Sequence, residues 1–341
     1  MKAMVLCAGL GTRLRPLTER WPKPAIPLLG QPIFRYALGV LRHAGVTGVG
    51  INTHHLPGVM EEVAWAEAQR AGLSLTVVQE PIIQGTGGGI RGLRALLQDD
   101  VFIVYNGDIL FPLDLVPLVA EHRASGAAAS MVLLPMPQNE KFSAVELDAQ
   151  GRIRRIAGKG PGGERLSSWH FSGVHLFSPA VFDFMAPQGP DDILQTYLRM
   201  IEQGVGVRGV KTQAYWSDLG TPARYLATLR DLLFCQVPLE LLGDASPFAS
   251  AQKGTGNYWA APEARIDGGV AGPAYFAAGA RVEAGAQIGS AVYLGPGARV
   301  GKGARLNRVA VLDETEIAPG EELVEVIAWK HHRIPAALTG P

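Results

Sequence analysis

Residues 9–18 read Gly-Leu-Gly-Thr-Arg-Leu-Arg-Pro-Leu-Thr and directly follow the apolar run at 3–8. Gly9 and Gly11 lack side chains, so the backbone amides from Gly9 to Thr12 can lie close against a phosphate. Arg13 closes the turn with a planar fork for phosphate oxygens. Lys23, stiffened between Pro22 and Pro24, adds a point charge. A nest of amides with two fixed cations suits a triphosphate better than a monoester. Two common phosphate loops are excluded. A dinucleotide turn needs a third glycine where Leu14 stands, and the Gly-Lys-Ser/Thr of an NTPase loop is absent. A tight turn that binds nothing is the remaining alternative.

Two acids stand far apart in the chain. Asp108 ends the apolar stretch VFIVYNGD, and Asp218 precedes a Leu-Gly-Thr-Pro turn. Taken alone, each reads as a cap or turn residue. Asp191 and Asp192, before ILQTYLRMIEQG, read as a helix start. His54 and His55 read as strand-end or surface residues, and no Cys–His or Ser–His arrangement suggests a protein nucleophile. Of the two cysteines, Cys7 lies in the first apolar run and reads as a small buried hydrophobe. Neither a disulfide framework nor a metal cluster is indicated.

These residues need a scaffold, and the pattern up to about residue 235 supplies one. Apolar strands at 3–8, 46–51, 73–78 and 101–108 alternate with helical stretches near 57–71 and 88–98. Between the first two strands, Ile33, Ala37, Leu41 and Ala44 fall on one helix face. A βαβα order implies a parallel sheet with helices on both faces, and ligands gather at its carboxyl strand ends. GLGTR and NGD both lie at such ends.

Beyond residue 260 the period changes. Val270, Phe276, Val282, Ile288, Leu294, Val300, Leu306 and Leu312 recur every six residues, and Gly289, Gly295 and Gly301 follow three of them. A six-residue period is that of a β-helix solenoid, with the apolar residue pointing into the prism. The expected organisation is a catalytic domain at 1–235, a connector at 236–262, a β-helix at 263–330 and a tail at 331–341. The terminal cap is expected over DETEIAPGEELVEVIAWK, where the repeat loosens.

Composition narrows the partners. Lys plus Arg equals Asp plus Glu at 31 each, so no net field favours nucleic acid or an anionic membrane. No apolar run approaches the ~20 residues of a membrane span, and the run at 3–8 is too short for a signal peptide. The expected location is the cytoplasm.

On GLGTRLRPLT–PKPAIPL–GQPIFRY, NGD at 106–108 and WSDLGTP at 216–222, the chain resembles the sugar-1-phosphate nucleotidyltransferases, or nucleotide-sugar pyrophosphorylases. Mannose-1-phosphate guanylyltransferases and glucose-1-phosphate thymidylyltransferases are of this kind. The resemblance covers nearly the whole chain and implies a Rossmann-like α/β domain with a mainly parallel sheet, then a short left-handed β-helix of hexapeptide repeats. The implied reaction joins a nucleoside triphosphate to a sugar 1-phosphate and releases pyrophosphate.

The resemblance also implies roles for residues of this sequence. Asp108 and Asp218 would hold Mg²⁺. Ala8, Gly9, Gly11, Thr12, Arg13 and Asn106 would line the nucleotide, with Arg13 and Lys23 on its phosphates. Glu80 and Gly85, in QEPIIQGTGGGI, would meet the base, with Gly88 and Gly89 letting the backbone close in. Guanine, uracil and thymine all offer a carboxylate the donors it needs, so GTP, UTP and dTTP stay open. Lys159 would hold the sugar phosphate and Gly173 would back the sugar ring. Many members have Glu before that lysine where this chain has Gly158. A catalytically weak NDP-sugar-binding subunit is the alternative function, although such subunits usually lose a loop cation or metal acid. Acyl transfer by the solenoid would need a histidine there, and 262–330 contains none. The β-helix is therefore expected to join copies of the chain into a homo-oligomer.

Overall fold

The structure, a computed structural model, describes residues 1–138, 142–163, 165–249, 251–254 and 256–336. It divides into two compact units, Met1–Leu10 with Ala37–Trp216, and Gly11–Tyr36 with Ser217–Pro341. Of the tail at 331–341, residues 337–341 lie outside the described residues.

The first unit is built on a nine-stranded sheet. Strands β1 (Lys2–Leu6), β2 (Gly48–Thr53), β3 (Ser74–Gln79) and β4 (Phe102–Asn106) pair in the order β4-β1-β2-β3, all parallel. Every residue of β2 is buried, as are Ala3, Met4 and Val5 of β1, which is why these segments read as continuous apolar runs. Helix α1 (Ile33–His43) buries the expected Ile33, Ala37 and Leu41 together with Phe34, Tyr36, Leu38 and Val40. A helix apolar around most of its circumference is a core helix, so one face was too narrow an expectation. Helix α2 (Pro57–Ala71) and the glycine-rich helix α3 (Gly85–Gly92) flank β3 in sequence.

After β4 and helix α4 (Val116–Ser125) the simple alternation ends. Strands β5 (Ala129–Pro135), β6 (Ala144–Leu147), β7 (Ile153–Ile156), β8 (Ser167–Phe177) and β9 (Val207–Lys211) complete the sheet. The 11-residue β8 runs antiparallel to β4, β5 and β6, and β9 is parallel to β5. The sheet is thus parallel on one side of β4 and mixed on the other. Antiparallel neighbours need no crossover helix, so this half left no βα rhythm in the sequence.

The second unit carries a short hairpin (Pro27–Leu28 with Gln31–Pro32), a helix at Pro222–Leu233 and the coils of a parallel β-helix. In the coils Ala274 pairs with Val292, Arg281 with Arg299 and Gln287 with Arg305, each 18 residues on, which is three hexads per turn. Phe276, Val282, Ile288, Leu294, Val300 and Leu306 fill the interior as the six-residue period requires. Gly301 is needed because a Cβ there would stand 2.7 Å from the Pro319 nitrogen of the next coil.

Leu312 departs from the expectation. It is buried, but the interior column passes instead to Val311, which pairs with Leu294. The corner at Asn307 and Arg308 is one residue shorter than that at Gly289–Ala291, so the coils beyond it repeat after 17 residues, as in Arg299 with Glu316 and Arg305 with Glu322. Ile317 and Leu323 then continue the column from Val311. The repeat therefore shifts rather than loosens. Closure comes later, where His332–Pro335 pairs antiparallel with Glu322–Trp329. At the other end, Tyr258–Ala260 already pairs with Ala274–Phe276.

Three histidines of the first unit are buried and held neutral. Burial, with a smaller effect of the Arg123 charge, pushes His122 down to about 4, although its ring meets the Ser130 and Ser178 hydroxyls. Burial alone takes His170 to about 4 and His175, paired with the Tyr197 hydroxyl, to about 3. His170 lies between the rings of Phe142 and Trp216, with centroids 3.9 and 4.8 Å away. In the unfolded chain each imidazole takes its proton near pH 6.5, so the unfolded state binds more protons below that pH. Their stabilising neutrality is complete above about pH 6.5 and is lost as pH falls toward about 4. Thermal unfolding should therefore show a lower Tm at pH 5 than at pH 7, and His170→Phe should narrow that difference. An equal drop in both proteins would remove His170 from the account.

Candidate active site

The polar groups of the first unit begin at one level of the sheet. Leu6 pairs with Asn52 on one side and Asn106 on the other, so the chain leaves β1 and β4 at the same carboxyl edge. The Gly107 amide donates to the Leu6 carbonyl (3.1 Å), tying the NGD turn to the end of β1. Asn52 bridges the other side. Its Oδ1 accepts from the Cys7 amide (3.0 Å) and its Nδ2 donates to Glu80 Oε1 (2.9 Å). Burial, and then the nearby Asp108 carboxylate, push the Cys7 thiol pKa up, so Cys7 is the inert hydrophobe expected of it. Ala8 is buried, whereas Gly9 is exposed and a Cβ there would meet open space.

Glu80 is only 3% exposed, and both of its oxygens serve the loop that follows. Oε2 accepts from the Gln84 amide (2.9 Å), while the Glu80 carbonyl accepts from His54 Nδ1 (2.7 Å). Helix α3 then carries five glycines in eight residues, a composition with poor intrinsic helicity. Packing accounts for it. Gly85 has φ +71°, and a Cβ there would stand 2.6 Å from the Asp191 carbonyl. That carbonyl accepts from the amides of Gly87 and Gly88, and the Asp191 amide donates to the Gln84 carbonyl. The buried Asp191 carboxylate is itself held by the Ala186 amide (2.9 Å), Thr196 Oγ1 (3.2 Å) and Arg199. Asp192 is the helix start, capping Ile193–Glu202 through the Leu194 amide. Its neighbour instead clamps the glycine loop.

Gly173, in β8 with φ +92°, faces Asn106 so closely that a Cβ would lie 2.8 Å from Asn106 Nδ2. Two expected site residues are thereby brought together. Lys159 follows a tight turn in which Ile156 and Lys159 exchange both backbone hydrogen bonds across Ala157 and Gly158, each at positive φ. It is exposed, and among the described residues its ammonium makes no hydrogen bond or ion pair.

In the second unit the loop after Gly9 turns at Gly11 (φ +60°) into a short 3₁₀ segment, Thr12–Leu14. Thr18 Oγ1 donates to the Gly11 carbonyl (3.1 Å), and a Cβ on Gly11 would press on Thr18 and on Lys23 Cβ. Lys23 is 8% exposed, whereas Thr12 and Arg13 are exposed. The hairpin after Lys23 is pinned by Tyr225 and Tyr36, whose hydroxyls donate to the carbonyls of Pro27 (2.5 Å) and Leu28 (2.8 Å). Thr221 caps the helix Pro222–Leu233 through the Arg224 amide (3.3 Å), with proline next, so Leu-Gly-Thr-Pro is a helix start. It sets Asp218 just outside that helix, where its Oδ2 pairs with the Arg224 guanidinium. Gly220 lets Arg13 in: a Cβ there would be 3.0 Å from Arg13 Nη2 and 3.5 Å from Asp218 Oδ1. Burial, and then the Arg13 charge, hold the Arg224 pKa below its ordinary value.

Three of these residues were not anticipated as site residues. Asn52 could have been found as a polar side chain inside an apolar parallel strand. Arg224 stands at the third helical position after the Thr221 cap, where a capping box has Glu or Gln. Asp191 left no distinguishing signal, because only the fold brings it to the glycine loop.

A family model described as nucleotidyl transferase matches residues 2–233. A UTP–glucose-1-phosphate uridylyltransferase of Synechocystis is 29% identical over 96% of this chain and 87% of its own length. A mannose-1-phosphate guanylyltransferase of Mycobacterium tuberculosis is 31% identical over 68% of this chain and 64% of its own. Among solved structures, a putative glucose-1-phosphate thymidylyltransferase from Bacillus anthracis superposes with a TM-score of 0.56 at 24% identity, over 66% of this chain and 92% of that one. That likeness concerns the fold. With the family model spanning more than half of its length, the chain belongs to the nucleotidyl transferase family.

Proposed function

We propose that the chain transfers a nucleotidyl group from a nucleoside triphosphate to a sugar 1-phosphate, forming an NDP-sugar and pyrophosphate. The observation that carries this reading is the full complement of charged residues, Arg13, Lys23, Asp108 and Asp218, in a chain aligned end to end with a uridylyltransferase. A binding-only subunit would be expected to lack one of the four. The catalytic segment is taken as 1–235 and the β-helix at 263–330 as the surface through which copies of the chain associate. No helix among the described residues is long and apolar enough to cross a membrane.

Asp108 and Asp218 are the proposed Mg²⁺ ligands, and their chemistry fits. Mg²⁺ takes one or two carboxylates and completes its shell with water and phosphate oxygens. Among the described residues no three His, Cys, Asp or Glu side chains form a site of their own, which suits an ion that arrives with the nucleotide. When bound, such an ion offsets the charge of the approaching phosphates.

The remaining work falls to the chain. The open side of Gly9 leaves room for a phosphate against the backbone, and Arg13 presents its fork outward. The buried Lys23 ammonium is a fixed cation for the same phosphates. The backbone of the Gly85 loop, held by Glu80 and Asp191, offers a rigid edge for the base. Lys159 stands free to take the sugar phosphate, and Gly173 leaves the sugar ring its space. The nucleophile is the sugar phosphate, whose second pKa near ~6 leaves it ionised at neutral pH. It attacks the α-phosphorus while the bond to the β-phosphate oxygen breaks and pyrophosphate takes the electron pair. No general base is required, so the rate depends on alignment and charge.

A matrix of GTP, UTP and dTTP against hexose 1-phosphates, read by pyrophosphate release, should give turnover in at least one pairing. Retained NDP-sugar binding with no turnover anywhere would favour the regulatory alternative. Asp108→Asn should lower kcat at least ~10²-fold, as loss of an electrostatic stabiliser does; near-normal kcat would remove it from the site. Lys159→Ala should raise the sugar-phosphate KM far more than the nucleotide KM, and equal effects on both would refute its assignment.

A further inference from the structure

Arg224 has no place in the reaction so far, yet it occupies the carboxylate on which that reading depends. Its guanidinium pairs with Asp218 Oδ2, and the two side chains are only 27% and 19% exposed, so solvent screens them weakly. Its position is otherwise unfavourable. The first turn of a helix presents unpaired amides and a positive dipole end, which disfavour a cation. Arg13 lies near enough to lower the Arg224 pKa further, so two guanidinium groups share the neighbourhood of one carboxylate. One negative charge cannot satisfy both, and the surplus is positive.

We propose that Arg224 is a positioning residue that holds Asp218 while no divalent cation is bound, and that cation binding hands this guanidinium over to a phosphate ligand beside Arg13. The inference rests on the reading of Asp218 as a metal ligand. A divalent cation on Asp218 and a guanidinium on the same oxygen repel each other, so one must leave. The Arg224 side chain is long, and its backbone is fixed by the Thr221 cap, so the head can move without disturbing the helix. Once released, it gives the phosphate ligand a second planar fork next to that of Arg13. Metal and anion thereby exchange partners at one acid, each favouring the other, because Asp218 can serve only one cation at a time.

Two binding measurements on the full-length protein test the exchange, and neither needs turnover. Mn²⁺ affinity is read from the free-ion EPR signal with no phosphate present, and pyrophosphate affinity by calorimetry in EDTA. Arg224→Gln should bind Mn²⁺ about five- to tenfold more tightly than wild type and pyrophosphate more weakly, the size expected for a partly screened ion pair. Asp218→Asn should bind Mn²⁺ more weakly and, with Arg224 already released, pyrophosphate about five- to tenfold more tightly. A purely structural ion pair would produce neither gain. If Asp218→Asn loses Mn²⁺ affinity but neither variant gains, the inference fails and the metal assignment survives. If Asp218→Asn binds Mn²⁺ as wild type does, the metal assignment fails and takes the inference with it. The Asp218→Asn arm stands alone should Arg224→Gln not fold, since an unchanged pyrophosphate affinity there already overturns the exchange.

Discussion

The pairing of β1 with two parallel neighbours is the constraint from which the first unit's candidate site follows. Leu6 is level with Asn52 and Asn106, so three strands stop at one edge and their next residues emerge side by side. A slip of one residue would turn the buried faces outward, and burial on both sides of these strands forbids it. Given that register, the Asn52 amide has the end of β1 on one side and Glu80 on the other. Glu80 then sets the start of the glycine loop through the Gln84 amide. Each polar group is fixed by the one before it, and the first is fixed by apolar packing.

Glycine performs two different tasks along this edge. At Gly85 and Gly173 the protein itself fills the space a side chain would need. At Gly9 nothing of the protein does, and the space is left for a ligand. The distinction matters for reading sequences, because all three look alike in one dimension. A glycine loop signals close approach without saying whether the approaching surface is foreign or native.

Legibility followed the same line. The parallel strands, the helix at 33–43 and the hexad coils were readable because burial imposes a period on them. The antiparallel half of the sheet was not, since β8 and its partners need no crossover and leave no alternating rhythm. Val311 displaced Leu312 because both are apolar and only the corner at Asn307 decides between them. The phosphate loop and the two acids were recognisable from residue type and spacing. Asp191 and Arg224 were not, because their importance lies in which distant atom they touch. Arg224 did leave a trace, as a cation where a helix start prefers an anion.

The unequal coils have a consequence for how the solenoid can change length. Ahead of Leu306 a turn of the prism is 18 residues, so excising 18 there removes one layer and leaves every inward side chain inward. Beyond Val311 a turn is 17, and the same excision would leave all later residues one place out of frame, rotating the column of Ile317 and Leu323 toward water. The short corner at Asn307 thus works as a frame boundary. Whole-layer duplication or loss is open to the chain on either side of it, but in different units of length.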